Sequence, residues 1–203
     1  MSEKNILPNI EGKTPNIDKN VFIDKSAVII GDVAIQKNVY IGPNAVIRCD
    51  EPPTKGILIK EGANIQDMVV IHCLRNTSVV VGKEASITHS TVIHGPAKIG
   101  DNAFIGFNSV VFGAEIGDNT IVGHNSVVDG VGGDLKIPND KWIPPNTSIY
   151  KDSDGIIKAF LPNGTILTDF NKLPDIPEWY KKVPGDVVKV NKELNLGYRE
   201  FIK

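Results

Sequence analysis

The sequence predicts an all-β protein, a parallel β-helix of hexapeptide repeats with one C-terminal α-helix packed alongside it. The main observation is isoleucine in an unbroken six-residue step at positions 17, 23, 29, 35, 41 and 47. Four positions after each of the first five stands a small or β-branched residue, as a narrow interior requires: Val21, Ala27, Val33, Val39 and Ala45. A period of six fits neither the 3.6-residue helical pattern nor the two-residue alternation of a long strand. Each hexapeptide is therefore predicted to form a short strand and a corner, three to a coil.

The repeat extends along residues 10–150, which we predict to form one β-helix domain. Beyond position 47 the apolar step resumes in four blocks: Ile59, Ile65 and Ile71; Val81, Ile87, Ile93, Ile99, Ile105 and Val111; Ile116, Val122 and Val128; Ile143 and Ile149. Glycine, asparagine and aspartate recur between the steps, as in GDNAFIG and GPNA. These residues tolerate turn dihedrals, so we place the corners there.

Two smaller segments follow the repeat. Residues 151–175 are predicted to form a hairpin appendage that turns near Asn163 and Gly164. Residues 176–203 are predicted to hold a linker and a helix with Asp186 as its N-cap. Apolar residues recur at helical spacing on the helix face that we expect to pack on the β-helix: Val187, Val190, Leu194, Tyr198 and Phe201.

Composition excludes several classes of function. With 41% hydrophobic residues and a net charge of -2, the chain fits neither a disordered segment nor a general nucleic-acid binder. No apolar run is long enough to span a bilayer, and the start MSEKNILPNI does not resemble a signal peptide, so we expect a cytoplasmic protein without membrane partners. Cys49 and Cys73 are too few for a disulfide framework, and we expect two reduced, inert side chains.

The repeat also assigns histidines to faces. Ile47, Ile71 and Ile93 each lie one coil above the last. The residues after them, Arg48, His72 and His94, should therefore point outward in one column. Two imidazoles one strand spacing apart can bind one ion at Zn–N distances of about 2.0–2.1 Å.

His89 follows Ile87 by two positions and is expected on the preceding face, rotated by roughly 120° in a three-sided coil. A cyclic homotrimer could bring the two faces together. Three histidines with an open fourth position are typical of a catalytic zinc site, although imidazole also suits other divalent metals, such as Co(II) or Fe(II).

Further polar residues are predicted near the same place. Asp67 lies one coil below His89 and could meet Arg48 across the subunit boundary, either as a register-fixing pair or as an ordinary interface salt bridge. Gln66 and Glu51 are candidates for orienting or deprotonating a water, and Asp50 is a further candidate for a structural or interface role.

Three segments, RCDE at 48–51, NIQDMVVIHCL at 64–74 and HSTVIHGPAKIGDNAFIG at 89–106, resemble the γ-class carbonic anhydrases. The ending KLPDIP with VNKELNLGY at 190–198 resembles the C-terminal helix of that family. The resemblance implies a left-handed β-helix and a trimer that hydrates carbon dioxide reversibly with a metal-bound hydroxide. It implies that one subunit supplies His72 and His94 and its neighbour supplies His89.

The resemblance also implies roles for other positions. Gln66 would orient the hydroxide, Asn191 would position carbon dioxide, and Glu51 would pass protons. Arg48 and Asp67 would form an inter-subunit pair. The best-known members carry a glutamate proton shuttle on an acidic loop where this chain has Arg75 and the short loop RNTS, so the chain is most similar to the branch without that loop.

Two other functions fit the same pattern. One is a non-catalytic, metal-binding assembly module of the same fold. The other is a CoA-dependent hexapeptide acyltransferase, which needs no metal and leaves the stacked histidines unexplained.

Overall fold

The computed structural model describes residues 5–201. The last two residues of the predicted 176–203 segment, Ile202 and Lys203, lie outside the described residues. The first strands are β1 (Ile6–Leu7), β2 (Asn16–Ile17), β3 (Phe22–Ile23), β4 (Val28–Gly31), β5 (Val33–Ile35), β6 (Tyr40–Ile41), β7 (Val46–Cys49) and β8 (Ile57–Ile59). The next are β9 (Asn64–Ile65), β10 (Val70–His72), β11 (Val79–Val81), β12 (Ser86–Ile87), β13 (Val92–His94), β14 (Ala97–Ile99), β15 (Phe104–Ile105) and β16 (Val110–Phe112). The last are β17 (Ala114–Ile116), β18 (Ile121–Val122), β19 (Val127–Asp129), β20 (Leu135–Ile137), β21 (Trp142–Ile143), β22 (Ser148–Lys151), β23 (Ile157–Phe160) and β24 (Ile166–Leu167), followed by helix α1 (Val183–Phe201).

The strands form the three sheets of a parallel β-helix, as predicted. Sheet A has the order β1-β4-β7-β10-β13-β16-β19-β22-β23-β24. Sheet B has the order β2-β5-β8-β11-β14-β17-β20, and sheet C has the order β21-β18-β15-β12-β9-β6-β3. Up to β22, each strand therefore pairs in parallel with the strand one coil away.

The interior is the predicted column of branched side chains. Ile47, Ile71 and Ile93 stack in register across β7, β10 and β13 and are fully buried. Most non-glycine corners with positive φ are asparagine, with φ of 57° at Asn44 and at Asn102. Asparagine is among the few L-residues that adopt this left-handed conformation at low cost, which explains its recurrence in the repeat.

The ends of the β-helix differ from the prediction. Strand β1 adds a rung before residue 10 by pairing with β4. No strand is predicted between Val128 and Ile143, yet β20 forms there and pairs with β17. The intervening residues 130–134 loop out, which shifts the phase of the repeat after Val128. Ile137 nevertheless lies six residues before Ile143, so the same step counted backwards would have found this strand.

The predicted hairpin is present and caps the β-helix. β22 pairs antiparallel with β23, and β23 with β24, so the chain turns back on sheet A. Ala159 and Leu161 are buried at this end. The hairpin thus covers the last interior rung, which a parallel solenoid otherwise leaves open to water.

Helix α1 departs from the prediction in its start and in its buried face. It begins at Val183, so Asp186 lies in its first turn and is not the N-cap; Pro184 fits there because the first turn needs no amide donor. The buried residues are Val188, Asn191 and Asn195.

The predicted apolar face is largely exposed. Val190, Leu194 and Phe201 are exposed, while Val187 packs beside Phe104 and Trp142. The remaining member of that face, Tyr198, is 43% exposed and stacks on Phe22 with ring centroids 4.9 Å apart. The prediction was wrong because the middle of the sheet C surface carries Asn64 and Ser86 between aromatic residues, and the side of α1 with Asn191 and Asn195 is buried there.

Within residues 5–201, no helix combines the length and the apolar character needed to cross a membrane.

Candidate functional site

The first group of site residues lies on the outer face of sheet A. In-register pairing of β7, β10 and β13 places Arg48, His72 and His94 in one outward column, as the spacing predicts. His72 Nδ1 and His94 Nε2 are 3.0 Å apart. We call this group, with Asp50 and Glu51, the histidine-pair cluster.

The geometry of the two imidazoles is compatible with a shared metal ion. Two ligands of one tetrahedral ion, each about 2.0–2.1 Å from it, lie about 3.3 Å apart. Burial lowers the pKa of His72, and the neighbouring Arg48 and His94 lower it further. The neutral imidazole is the form that binds a metal, so this pKa direction favours a ligand role.

Carboxylates surround His72. Its Nε2 atom lies 3.3 Å from Glu51 Oε1 and 3.8 Å from Asp50 Oδ1, and Asp50 Oδ2 accepts a 3.0 Å hydrogen bond from Arg48. Among the described residues, buried His72 Nε2 and Asp50 Oδ1 have no hydrogen-bond partner. Buried polar atoms are rarely left unpaired, so a further group, such as a water, an ion or another subunit, is expected at this cluster.

The second group lines a cavity of about 540 Å³ between sheet C and α1. Gln66, Asp67, His89 and Asn191 all face this cavity, and we call them the cavity cluster. His89 Nδ1 lies 3.4 Å from Asp67 Oδ2, in agreement with the expected stacking of these two positions. Gln66 is buried, and its Oε1 atom has no partner in the part of the chain described.

Several residues that line this cavity were not predicted, among them Tyr40, Phe107 and His124. Tyr40 lies at its wall, and burial raises the pKa of its hydroxyl to about 12. Phe107 stacks on His124 with ring centroids 4.4 Å apart, and its backbone N–H donates to His124 Nδ1 at 2.8 Å. Phe107 follows the core residue Ile105 by two positions, and His124 follows Val122 in the same way. His89 has the same offset from Ile87, so a search at this offset would have found Phe107 and His124.

The two clusters lie on different faces. Across residues 5–201 of one chain, no set of three or more histidine, cysteine or carboxylate side chains is arranged to hold a metal ion. His72 and His94 are together, whereas His89 is on the sheet C side, as the spacing predicts. Arg48 contacts Asp50 in its own chain, so its expected pairing with Asp67 remains a prediction.

Comparison with known proteins assigns the chain to a family. The carbonic anhydrase of Methanosarcina thermophila is 30% identical over 213 residues, which cover 95% of this chain and 78% of the relative. The chain belongs to the γ-carbonic-anhydrase-like family of hexapeptide-repeat proteins. Two family models match parts of this γ-carbonic-anhydrase-like protein. They are the hexapeptide repeat of succinyl-transferase over residues 96–130 and the bacterial transferase hexapeptide (six repeats) over residues 14–49.

Other members and neighbours carry different names. The carboxysome assembly protein CcmM of Nostoc sp. is 35% identical over 195 residues, which cover 90% of this γ-carbonic-anhydrase-like protein. This alignment spans only 31% of the length of CcmM. The crystal structure of a hexapeptide transferase family protein from Anaplasma phagocytophilum has a TM-score of 0.72 at 26% identity and covers 95% of this chain and 97% of that chain. The proteins that resemble this chain are thus named for different functions.

Proposed function

We propose that this protein hydrates carbon dioxide reversibly to bicarbonate at a metal site formed between the subunits of a homotrimer. The observation that carries the proposal is the division of the histidines, with His72 and His94 3.0 Å apart on one face and His89 in a cavity on another. The carbonic anhydrase relative, aligned over 95% of this chain, supports the same reaction.

The metal would be held by His72 and His94 of one subunit and by the His89 position of the next. Zinc suits three imidazoles, as do Fe(II) and Co(II). When bound, such an ion lowers the pKa of water towards about 7 and so supplies a nucleophile at neutral pH.

The remaining residues would position substrate and move protons. The unpartnered Gln66 Oε1 can accept a hydrogen bond from the attacking oxygen and so fix its orientation. Asn191 donates through Nδ2 to Val187 O at 2.8 Å, which fixes its amide at the cavity wall, where carbon dioxide would lie. Glu51 is 41% exposed beside His72 and can accept a proton and release it to solvent.

The outer face of sheet A supports a subunit contact at the histidine pair. One outward column is built from valines paired in register: Val28, Val46, Val70, Val92, Val110 and Val127. The equivalent column on sheet B is increasingly charged: Ala34, Leu58, Val80, Lys98, Glu115 and Lys136. A continuous valine ribbon beside unpaired polar atoms is typical of a surface that another subunit covers.

The deciding experiment is stopped-flow carbon dioxide hydration by protein loaded in turn with zinc and with ferrous iron under anaerobic conditions. We expect hydration by the wild type, and His89→Ala should lower kcat/KM by at least about 100-fold and lose metal. His124→Ala, which removes the fourth histidine, should keep one metal per chain. A trimer that binds metal but shows no hydration with either ion would contradict the proposal.

The similarity to CcmM favours a second candidate, a metal-binding assembly module without catalysis. That function predicts the metal-bound trimer that the first proposal predicts, but no hydration. Thermal stabilisation by an acyl-CoA in the absence of metal would instead favour an acyltransferase.

A further inference from the structure

A seam of polar side chains runs between α1 and sheet C, where an apolar contact is the rule. Asn64 and Ser86 on the sheet are each 1% exposed, and Asn195 on the helix is 2% exposed. Gln66 and Asn191 are also buried at one end of this seam. We call these five residues the polar seam.

The seam contains a concentration of unsatisfied hydrogen-bonding atoms. Asn64 Nδ2 and Oδ1, Ser86 Oγ, Gln66 Oε1 and Asn195 Oδ1 are buried without a partner among residues 5–201. The described chain contains eight such atoms, and five of them lie here. Because almost all buried polar groups in folded proteins are hydrogen-bonded to protein or to water, a shared partner is expected.

Backbone register makes the seam continuous. Asn64 on β9 and Ser86 on β12 are paired in register, so their backbones are about 4.8 Å apart. Gln66 follows Asn64 by two residues, so it lies about 6.6 Å further on the same face. Asn195 Nδ2 donates to Val39 O at 2.5 Å, immediately before the residue that pairs with Asn64.

The seam has an opening at each end. Gln66 and Asn191 line the 540 Å³ cavity that holds His89. Asn195 lines a second cavity of about 230 Å³ with Asn38, Lys192 and Leu196. Lys192 Nζ is already engaged by Glu84 Oε1 at 2.5 Å beside that opening.

The chemistry of the seam identifies its occupant. All five side chains are neutral, and together they offer both donors and acceptors, so neither an anion nor a cation is matched there. Water is the ligand that satisfies such groups, commonly with about three hydrogen bonds each. We propose that the polar seam holds a file of ordered water molecules that connects the cavity at Gln66 with the cavity at Asn38.

The role of this file rests on the proposed function. Hydration of carbon dioxide releases one proton per turnover, which Glu51 can pass to solvent beside His72 and which Arg75, exposed on its loop, cannot accept at neutral pH. The file would give the proton a second exit, on the Gln66 side of the site. Along a file each water accepts one proton and passes another to its neighbour, so a proton leaves at the far end while the composition of the seam is unchanged. Asn64, Ser86 and Asn195 are thus positioning residues for water.

The test has a structural arm and a kinetic arm. A crystal structure of the full trimer at a resolution that places ordered water should show water bonded to Asn64, Ser86 and Asn195. Asn195→Leu and, independently, Ser86→Val should remove that water by filling the seam with apolar groups. Lys189→Leu, on the exposed side of the same helix, is the matched control and should leave it in place.

In the kinetic arm, Asn195→Leu is expected to lower kcat at low buffer about twofold or more, because it closes one of two exits for the proton and kcat includes proton export. The ratio kcat/KM should remain unchanged, because it does not include that step. High buffer should restore kcat.

Absence of ordered water in the wild-type seam overturns the inference whatever the enzyme does. Water that is present, with kcat unchanged when it is displaced, overturns the proton route. If the metal-loaded wild type hydrates no carbon dioxide, the proposed function fails, while the crystallographic arm still decides what the seam holds.

Discussion

At the scale of single residues, a six-residue period carries information about side-chain neighbours. It predicted that His72 stacks on His94 and that His89 stacks on Asp67, because three hexapeptides make one coil even where extra residues are inserted between them, and this fixes which positions are in register. It could not predict partners that depend on rotamers. Arg48 turns to Asp50, two residues away, and this contact follows from side-chain torsions that no spacing encodes.

His124 offers a pH-dependent test at this scale. Burial lowers its pKa, and protonation of Nδ1 would remove the acceptor of the Phe107 N–H. The unfolded chain therefore binds the proton more readily than the folded chain, so stability is present above the unfolded pKa near 6.5 and is lost as pH falls below it. Each pKa unit of difference corresponds to about 1.4 kcal/mol.

The matched variant is His124→Asn, whose side-chain oxygen can accept the same hydrogen bond but does not titrate. We expect urea unfolding of the metal-free wild type to show a larger loss of stability between pH 7.5 and 5.5 than the variant shows. Equal losses in both proteins would mean that His124 is protonated as easily in the folded state as in the unfolded one.

At the scale of elements, strands were easier to predict than the surface of the helix. Interior positions of the β-helix accept only a few residue types, mainly isoleucine, valine and alanine. Strands such as β10 and β13 can therefore be recognised from apolar residues that recur every six positions. The helix α1 has two candidate faces, and its apolar residues predicted the wrong one. The buried face carries Asn191 and Asn195, because the strands below present Asn64 and Ser86. Only the folded sheet reveals that match.

Helix α1 also contains a glycine that weakens it. A methyl group at Gly197 would have no atom within 4 Å, and the backbone there is helical, so Gly197→Ala should stabilise the protein by about 0.4–1 kcal/mol through loss of unfolded-state entropy. Gly164 has equally open space but a φ of 85°, so Gly164→Ala should destabilise by about 1–2 kcal/mol. Denaturant unfolding at one protein concentration checks both signs. Shifts of the same sign would show that steric space, rather than backbone conformation, controls these sites.

At the scale of the whole molecule, the faces of the β-helix have different chemistry. The interior is uniform, whereas the outward columns change from valine on sheet A to lysine and glutamate on sheet B. The sequence repeat predicted the three sides but not the different chemistry of their outer surfaces. The reason is that outward side chains do not have to fit the narrow interior, so the repeat does not determine them. The proposed site needs two of these sides, since one carries the histidine pair and another carries His89.

The valine column therefore permits a direct test of the assembly. Val92 and Val80 are both outward-facing, half-buried valines in central strands, one on sheet A and one on sheet B. A lysine buried at a subunit contact loses hydration without gaining a partner, whereas a lysine on a free face remains solvated. We expect Val92→Lys to dissociate the oligomer at micromolar concentration, as measured by light scattering after size-exclusion chromatography, and to lose bound metal. Val80→Lys should keep the mass and metal content of the wild type. An unchanged mass for Val92→Lys would place the contact elsewhere, and the two histidine faces would then need another arrangement to meet.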